Sequence, residues 1–228
     1  MLKEFTFVAH ALQAEESREA IKSLVVGENI LLKPTEASRH KTLKYLEVAY
    51  GLDPQLPVYS GLRALWDIES AEQPMLALLC VSARDALLRA TAEHILGLLN
   101  GTPVLYQELS DIVARAFPRR FSPASLKSVG QNILSTWTQS GHLSTGRARI
   151  RTSPFIGPAS VTYALLLGYL YGERGQGLFH TFWAELLDAG TAGLDDNAVI
   201  AAQRGLIEYR KAGGVVDISF SQLLPESR

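Results

Sequence analysis

The sequence predicts a mainly α-helical bundle with helix-turn-helix or winged-helix-like elements and a small β-hairpin wing. Apolar residues recur at helical spacing along most of the 228 residues. Proline, serine or threonine precedes several of these stretches and glycine follows them, which is typical of helix boundaries. One predicted helix is followed by a short turn and by an arginine-studded segment with the alternation of a strand.

This helix and hairpin lie within residues 122–151. Ser122 is the predicted N-cap, Pro123 occupies the first helical position, and Gly141 suits the left-handed residue at the helix end. A Ser-Thr-Gly turn follows, and then a run in which arginine alternates with small or apolar residues. The arginines of this run are Arg147, Arg149 and Arg151. With an amphipathic helix predicted over 103–115, the order helix, turn, helix, hairpin is that of a winged helix-turn-helix.

The same part of the chain is unusual in charge. Residues 112–172 contain no aspartate or glutamate, whereas they contain seven basic residues. The whole chain has a formal net charge of −1, so this segment is +7 and the remainder is −8. A positive segment within a nearly neutral chain favours a local anion-binding surface. Its basic residues are Arg115, Arg119, Arg120, Lys127, Arg147, Arg149 and Arg151.

We interpret these basic residues as candidate contacts to double-stranded DNA. Arginine suits phosphate because its planar guanidinium donates two parallel hydrogen bonds. Gln131 lies on the polar face of the predicted helix, and its carboxamide can read an adenine edge in the major groove. Because the helix itself carries few charges, we expect contacts mainly to the phosphate backbone and weak sequence specificity.

A second basic stretch lies on a helix predicted from Thr35, as N-cap, to the residue before Gly51. Its candidate DNA contacts are Arg39, Lys41 and Lys44. An ordinary solvated amphipathic helix is the simpler interpretation of this stretch, because Glu36 and Glu47 dilute its positive charge.

The other elements follow from periodicity and from the positions of glycine and proline. We predict a short strand or ordered arm over 3–7, helices over 14–26, 74–81, 83–99, 161–171, 178–189 and 197–211, and a closing strand over 215–220. Asp195 and Asp196 are interpreted as the cap of the last helix. These elements group into an N-terminal helical, helix-turn-helix-like range 1–70, a helical core with the winged-helix-like segment over 71–152, and an aromatic-rich helical range 153–228.

Composition excludes several classes of protein. Cys80 is the single cysteine, so no disulfide forms within one chain; within its apolar run we interpret it as a small buried hydrophobe. The longest apolar run, 161–171, is about half the length of a membrane-spanning helix. No signal peptide is predicted at the start of the chain. We therefore expect a soluble, cytoplasmic protein without membrane contact.

Motifs that would indicate catalysis are missing from the sequence. The five histidines are scattered, and neither a zinc-protease helix motif nor a nucleotide-binding P-loop occurs. The glycine-rich run 172–177 lies between predicted helices and lacks the lysine of a phosphate-binding loop. We therefore expect no enzyme activity, cofactor or metal.

Two alternatives to DNA binding remain open. The aromatic residues of the C-terminal range fit core packing, but they could also form a surface that docks a partner protein, which would make the chain a helical adaptor. Binding of RNA by a helical bundle would also use a basic surface of this kind.

Three stretches resemble one known family. They are EESREAIKSLVVGENILLKPTEASRHKTLKYL at 15–46, SARDALLRATAEHIL at 82–96 and SPASLKSVGQNILSTWTQSGHL at 122–143. The first resembles the start of the BrxA family of BREX bacteriophage-exclusion systems, with an acidic helix start, an "ENLL"-like turn at 28–32 and a basic helix. The resemblance spans most of residues 10–190. It implies a small, mainly helical, non-enzymatic DNA-binding component of a multi-gene phage-resistance system, acting with a methyltransferase, an ATPase and other subunits. No base-reading residues come with it.

Overall fold

The structure is a computed structural model that describes residues 1–12 and 17–224. The α-helices of this part are α1 (Leu2–Ala11), α2 (Arg18–Lys22), α3 (Glu36–Tyr50), α4 (Pro57–Trp66), α5 (Gln73–Arg84), α6 (Ala86–Arg89), α7 (Ala92–Gly97), α8 (Tyr106–Ala116), α9 (Pro123–Gln139), α10 (Pro158–Tyr171), α11 (Phe182–Glu185) and α12 (Thr191–Gln203). A π-helical turn, Ser23–Gly27, extends α2, and 3-10 turns cover Ser70–Glu72 and Gly175–His180. Two strands, β1 (Glu208–Ala212) and β2 (Val215–Ser219), form an antiparallel hairpin. The mainly helical prediction is confirmed.

Helix α10 lies at the centre of the molecule. Its residues 159–168 are all buried, which explains why this stretch is apolar on every side and has no solvated face. It packs against α4, α5, α11 and α12. The buried carboxylate of Glu72 accepts hydrogen bonds from the backbone N–H of Ala159 (3.2 Å) and of Ser160 (2.6 Å), so a negative charge meets the positive end of the helix.

The apolar core is one continuous cluster. It contains residues of α1, α3, α5, α9, α10, α12 and β2, so the three sequence ranges share it. The boundaries at 70 and 152 stay a prediction. Cys80 is fully buried, as predicted, and burial raises the pKa of its thiol to about 12. Within residues 1–12 and 17–224, no helix combines the length and apolarity needed to cross a membrane.

The best-predicted helix boundaries are those with a capping residue. Thr35 caps α3 by accepting a hydrogen bond from Ser38 N, and Gly51 ends the helix with φ 86°. Ser122 caps α9 in the same way through Ser125 N, and Gly141 follows the helix with φ 88°. Both helices are confirmed at both ends, because the capping groups act locally.

The N-terminal prediction was wrong in its first element. Residues 3–7 belong to α1 and form neither a strand nor an arm. Phe5 and Val8, one helical turn apart, are both fully buried, and the Phe5 ring stacks on Tyr50 with centroids 4.0 Å apart. The helix predicted over 14–26 is confirmed from Arg18 onward, and its first three residues lie outside the described part of the chain.

The long helix predicted over 83–99 is divided. Asp85 Oδ1 accepts hydrogen bonds from Leu87 N (2.8 Å) and Leu88 N (3.4 Å), which starts a new short helix, α6, instead of continuing α5. A second interruption precedes α7. The helix predicted over 178–189 is also shorter in the structure, where α11 is a single turn.

The C-terminal prediction was correct for one strand and wrong for its neighbour. Residues 215–219 form β2, but residues 208–212, which were assigned to a helix, form β1 and pair with it. Helix α12 begins at Thr191, so Asp195 lies inside it and caps nothing. Its carboxylate instead accepts hydrogen bonds from the Tyr209 hydroxyl and from Lys211 Nζ, the latter at 2.8 Å. These bonds fasten the hairpin to α12.

Candidate nucleic-acid interface

Helices α8 and α9 cross at very close range. A Cβ at Gly130 would lie 2.1 Å from Ser110 Oγ and 2.5 Å from the Tyr106 carbonyl oxygen. The Ser110 hydroxyl lies 3.0 Å from the carbonyl oxygen of Leu126 on the other helix. A glycine inside a predicted helix is the sequence signal for such a close approach. The crossing fixes α9 relative to α8 and to the turn between them.

Helix α9 has one buried side and one polar, exposed side. Trp137 is fully buried, and its indole Nε1 donates a hydrogen bond to Thr91 Oγ1 at 3.0 Å. Ile133 is buried one turn earlier. The opposite side is exposed along successive turns of the helix. Its residues are Ala124, Lys127, Ser128, Gln131 and Ser135.

A short hairpin follows α9 and is smaller than predicted. Leu143 forms an isolated antiparallel bridge with Arg151, and Ile150 forms another with Pro103, just before α8. Val104 N donates to the Arg149 carbonyl at 2.8 Å. The segment before α8 therefore lies beside the returning arm of the hairpin, and the loop 145–148 is its exposed tip.

His142 anchors the start of this hairpin. Its Nε2 lies 2.9 Å from the carbonyl oxygen of Leu186, and its Nδ1 lies 2.8 Å from Ser140 Oγ. A carbonyl can only accept, so Nε2 carries the proton and donates it. Burial lowers the pKa of His142 to about 4, which keeps the ring neutral near pH 7.

Arg151 does not lie on the surface. Its side chain is 2% exposed; Nε donates to the Ile95 carbonyl at 2.8 Å, and Nη2 pairs with Asp188 Oδ2 at 2.7 Å. The prediction that Arg151 contacts DNA is therefore wrong. Only the outer part of the hairpin is solvated, and its base packs between α7 and the loop after α11.

Of two other predicted contacts, Arg149 is engaged within the protein, whereas Arg115 is exposed but has carboxylates beside it. Arg149 is half-buried, and its Nη1 donates to the Gly146 carbonyl at 2.6 Å, so it braces the turn that presents Arg147. Arg115 lines a cleft between α7 and α8 together with Glu93, Glu108 and Asp111. Residues 112–172 contain no acidic residue, but the fold places carboxylates from outside this stretch beside one of its arginines.

The remaining predicted contacts are exposed. Arg119 and Arg120 lie in the turn between α8 and α9, where the Arg120 guanidinium lies over the rings of Phe117 (5.4 Å) and Phe121 (5.3 Å). Lys127 and Gln131 follow on the exposed side of α9, and Arg147 lies at the hairpin tip. The exposed basic groups therefore sit at three points of one helix-turn-helix-hairpin unit.

The basic residues of the second stretch, on α3, also differ in exposure. Arg39 is half-buried, and its Nη1 donates to the Val26 carbonyl at 3.1 Å, so it joins α3 to the π-helical turn. Lys41 and Lys44 are exposed, and Lys41 Nζ lies 5.7 Å from the centroid of the Tyr45 ring.

No protein-family model matches the chain, and no curated protein matches it either. Among residues 1–12 and 17–224, no three histidine, cysteine, aspartate or glutamate side chains are grouped so that they could hold a metal ion.

Proposed function

We propose that this chain is a non-enzymatic protein that binds double-stranded DNA, and that α8, α9 and the hairpin 142–151 form a winged helix-turn-helix. The exposure of basic residues at the α8–α9 turn, on α9 and at the hairpin tip is the main support. In helix-turn-helix proteins the second helix lies in the major groove while the first crosses the backbone. The bridge between Pro103 and Ile150 supports the same topology, because it joins the segment before α8 to the wing.

Each exposed group has a distinct role in this proposal. Arg119 and Arg120 bind phosphates beside the N-terminus of α9, where the helix dipole and the guanidinium groups both favour negative charge. Lys127 and Gln131 enter the major groove, and Gln131 is the base-reading candidate. Arg147 contacts the backbone or the minor groove next to the site.

The test is a salt titration of duplex binding by fluorescence anisotropy. Three phosphate contacts, by Arg119, Arg120 and Arg147, predict that log K falls with log salt at a slope of roughly −2.7. The variant R120E/K127E/R147E should lose binding at low salt and keep the thermal stability of the wild type. Arg204→Glu is the matched control, because Arg204 is exposed at the end of α12 and lies outside the proposed interface. Wild-type affinity in the triple variant would contradict the interface. Competition between matched DNA and RNA duplexes separates DNA binding from RNA binding.

We further propose, from the resemblance to the BrxA family, that the chain is a cytoplasmic DNA-binding component of a BREX-type phage-resistance system and acts with its other subunits. A strain that carries such a system without this gene should become sensitive to phage. The wild-type gene and the R204E gene should restore resistance, whereas the R120E/K127E/R147E gene should not.

A partner-docking role is the second candidate, favoured by one group of aromatic residues. Tyr171 is 78% exposed and meets Trp183 edge to face, with centroids 5.6 Å apart. Both line a cavity of about 470 Å³ with Phe182 and Glu173. If this surface docks a subunit, Tyr171→Ala should abolish co-purification of that subunit and leave DNA binding unchanged.

A further inference from the structure

A cavity of about 510 Å³ lies between α3, α5 and α9, next to the start of α1. Its volume falls within the roughly 300–1,000 Å³ of small-molecule sites. One wall is apolar and is formed by α5 and the last turns of α3. The residues of this wall are Ala49, Tyr50, Ala77, Leu78 and Val81.

Another wall is polar and belongs to α9. It presents Asn132, Ser135, Thr136 and Gln139 on successive turns. Gln139 Nε2 donates to Ser135 Oγ at 2.9 Å, and Thr136 Oγ1 donates to the Asn132 carbonyl at 3.0 Å. Within the described part of the chain, the carboxamide of Asn132 makes no hydrogen bond. It therefore offers a donor and an acceptor, side by side, to a molecule in the cleft.

The third side of the cleft carries an aromatic ring with a cation beside it. Tyr45 lines the cleft and is 50% exposed, so its ring is available for stacking. Lys41 lies one helical turn away, with Nζ 5.7 Å from the ring centroid. Asp85 also lines the cleft, and its Oδ1 accepts the hydrogen bonds that cap α6.

We propose that this cleft binds a nucleobase that carries a phosphate. The base would stack on Tyr45 and the apolar wall, its edge would pair with the Asn132 carboxamide, and its phosphate would meet Lys41. Nucleobases combine a flat, apolar face with adjacent donors and acceptors on one edge, which is the combination that these three walls present. A hydrocarbon ligand would make no use of the exposed Asn132 carboxamide, and a sugar would leave the apolar wall uncovered.

This site uses none of the basic groups of the proposed duplex interface, so the two proposals can fail independently. The ligand has two possible sources, namely a free nucleotide and an unpaired base within DNA. Both share the chemistry of base and phosphate.

The first arm of the test is saturation-transfer NMR and calorimetry with dAMP, dGMP, dCMP and dTMP. The second arm compares the affinity of a duplex that carries one unpaired base with that of the fully paired duplex. We expect binding in at least one arm, and a loss of about tenfold or more in both Tyr45→Ala and Asn132→Leu, as for other base–aromatic contacts. Val48→Ala is the matched control, because Val48 is 62% exposed on α3 and is not part of the cleft wall.

The outcomes separate the sources. Binding of a mononucleotide without a gain for the unpaired base makes the free nucleotide the ligand, whereas a gain that depends on Tyr45 and Asn132 makes it a base within DNA. The R120E/K127E/R147E variant should keep mononucleotide binding even if it loses the duplex. If no mononucleotide binds and the unpaired base adds no affinity, the proposal is wrong. Should Asn132→Leu fail to fold, the exposed position of Tyr45 leaves Tyr45→Ala as a sufficient test.

Discussion

At the scale of single residues, the three hairpin arginines have three different environments. The alternation of arginine with other residues predicted that Arg147, Arg149 and Arg151 share one face. In the structure Arg147 at the hairpin tip is exposed, Arg149 is half-buried, and Arg151 at the hairpin base is buried. The partner of Arg151 is Asp188, which lies 37 positions further along the chain. Local alternation therefore predicts which side chains share a face and says nothing about what covers that face.

We predict that Arg151→Ala lowers the free energy of unfolding by about 3 kcal/mol, because it leaves Asp188 and the Ile95 carbonyl without their partner. Arg147→Ala should change it by less than about 0.5 kcal/mol, as expected for an exposed side chain, and should weaken DNA binding instead. Urea denaturation and anisotropy measure the two effects. Equal loss of stability in the two variants would contradict the different roles of these arginines.

His142 predicts a dependence of stability on pH. Burial lowers its folded-state pKa to about 4, against 6.5 for the free side chain, with Arg151 lowering it further and Asp188 opposing that effect. Between these values the unfolded chain takes up a proton that the folded chain refuses, so stability is full above pH 6.5 and is lost as the pH falls to about 4. The loss should be on the order of 3 kcal/mol.

The measurement compares urea denaturation of wild type and His142→Asn between pH 4 and pH 7. The difference between the two proteins should shrink as the pH falls. His180→Asn, at an exposed position, is the matched control for the substitution itself. A constant difference for His142→Asn would show that this ring does not titrate as inferred.

At the scale of elements, local capping predicted helices well and strands poorly. Thr35 with Gly51 and Ser122 with Gly141 act within a few residues of the helix that they delimit. Strand β1 has no such signal, since it is stabilised by its pairing with β2 and by the hydrogen bonds that Tyr209 and Lys211 donate to Asp195. The sequence-based prediction therefore assigned the residues of β1 to the helix that precedes them.

The α8–α9 crossing gives a test at this scale. Gly130→Ala should destabilise the protein by about 2 kcal/mol, although alanine is the better helix former, because its Cβ would collide with Ser110 and with the Tyr106 backbone. Gly193→Ala in α12 is the control. A Cβ there has no heavy atom within 4 Å, so this change should be neutral or stabilising by up to about 1 kcal/mol. Thermal and urea denaturation of both variants measure this, and a stabilised Gly130→Ala protein would contradict the close crossing.

At the scale of the whole molecule, the central helix depends on a distant carboxylate. Glu72 is fully buried and binds the N-terminus of α10 through Ala159 and Ser160. We predict that Glu72→Ala costs about 3 kcal/mol, because it leaves two buried N–H groups without acceptors. Glu69→Ala, at a nearby exposed position, should cost less than about 0.5 kcal/mol. Denaturation curves of the two variants measure these losses of stability, and similar losses would contradict the role of Glu72.

The sequence by itself determined the helical class, the capped ends of α3 and α9, the burial of α10 and Cys80, and the exposed basic positions at the α8–α9 turn, on α9 and at the hairpin tip. These features depend on periodicity and capping, which act over a few residues. Only the tertiary structure decided that Arg151 is buried, that Arg115 lines a cleft together with three carboxylates, and that Tyr45 and Asn132 line one cleft. The physical reason is distance along the chain, because the groups that surround a side chain come from helices that the fold alone brings together.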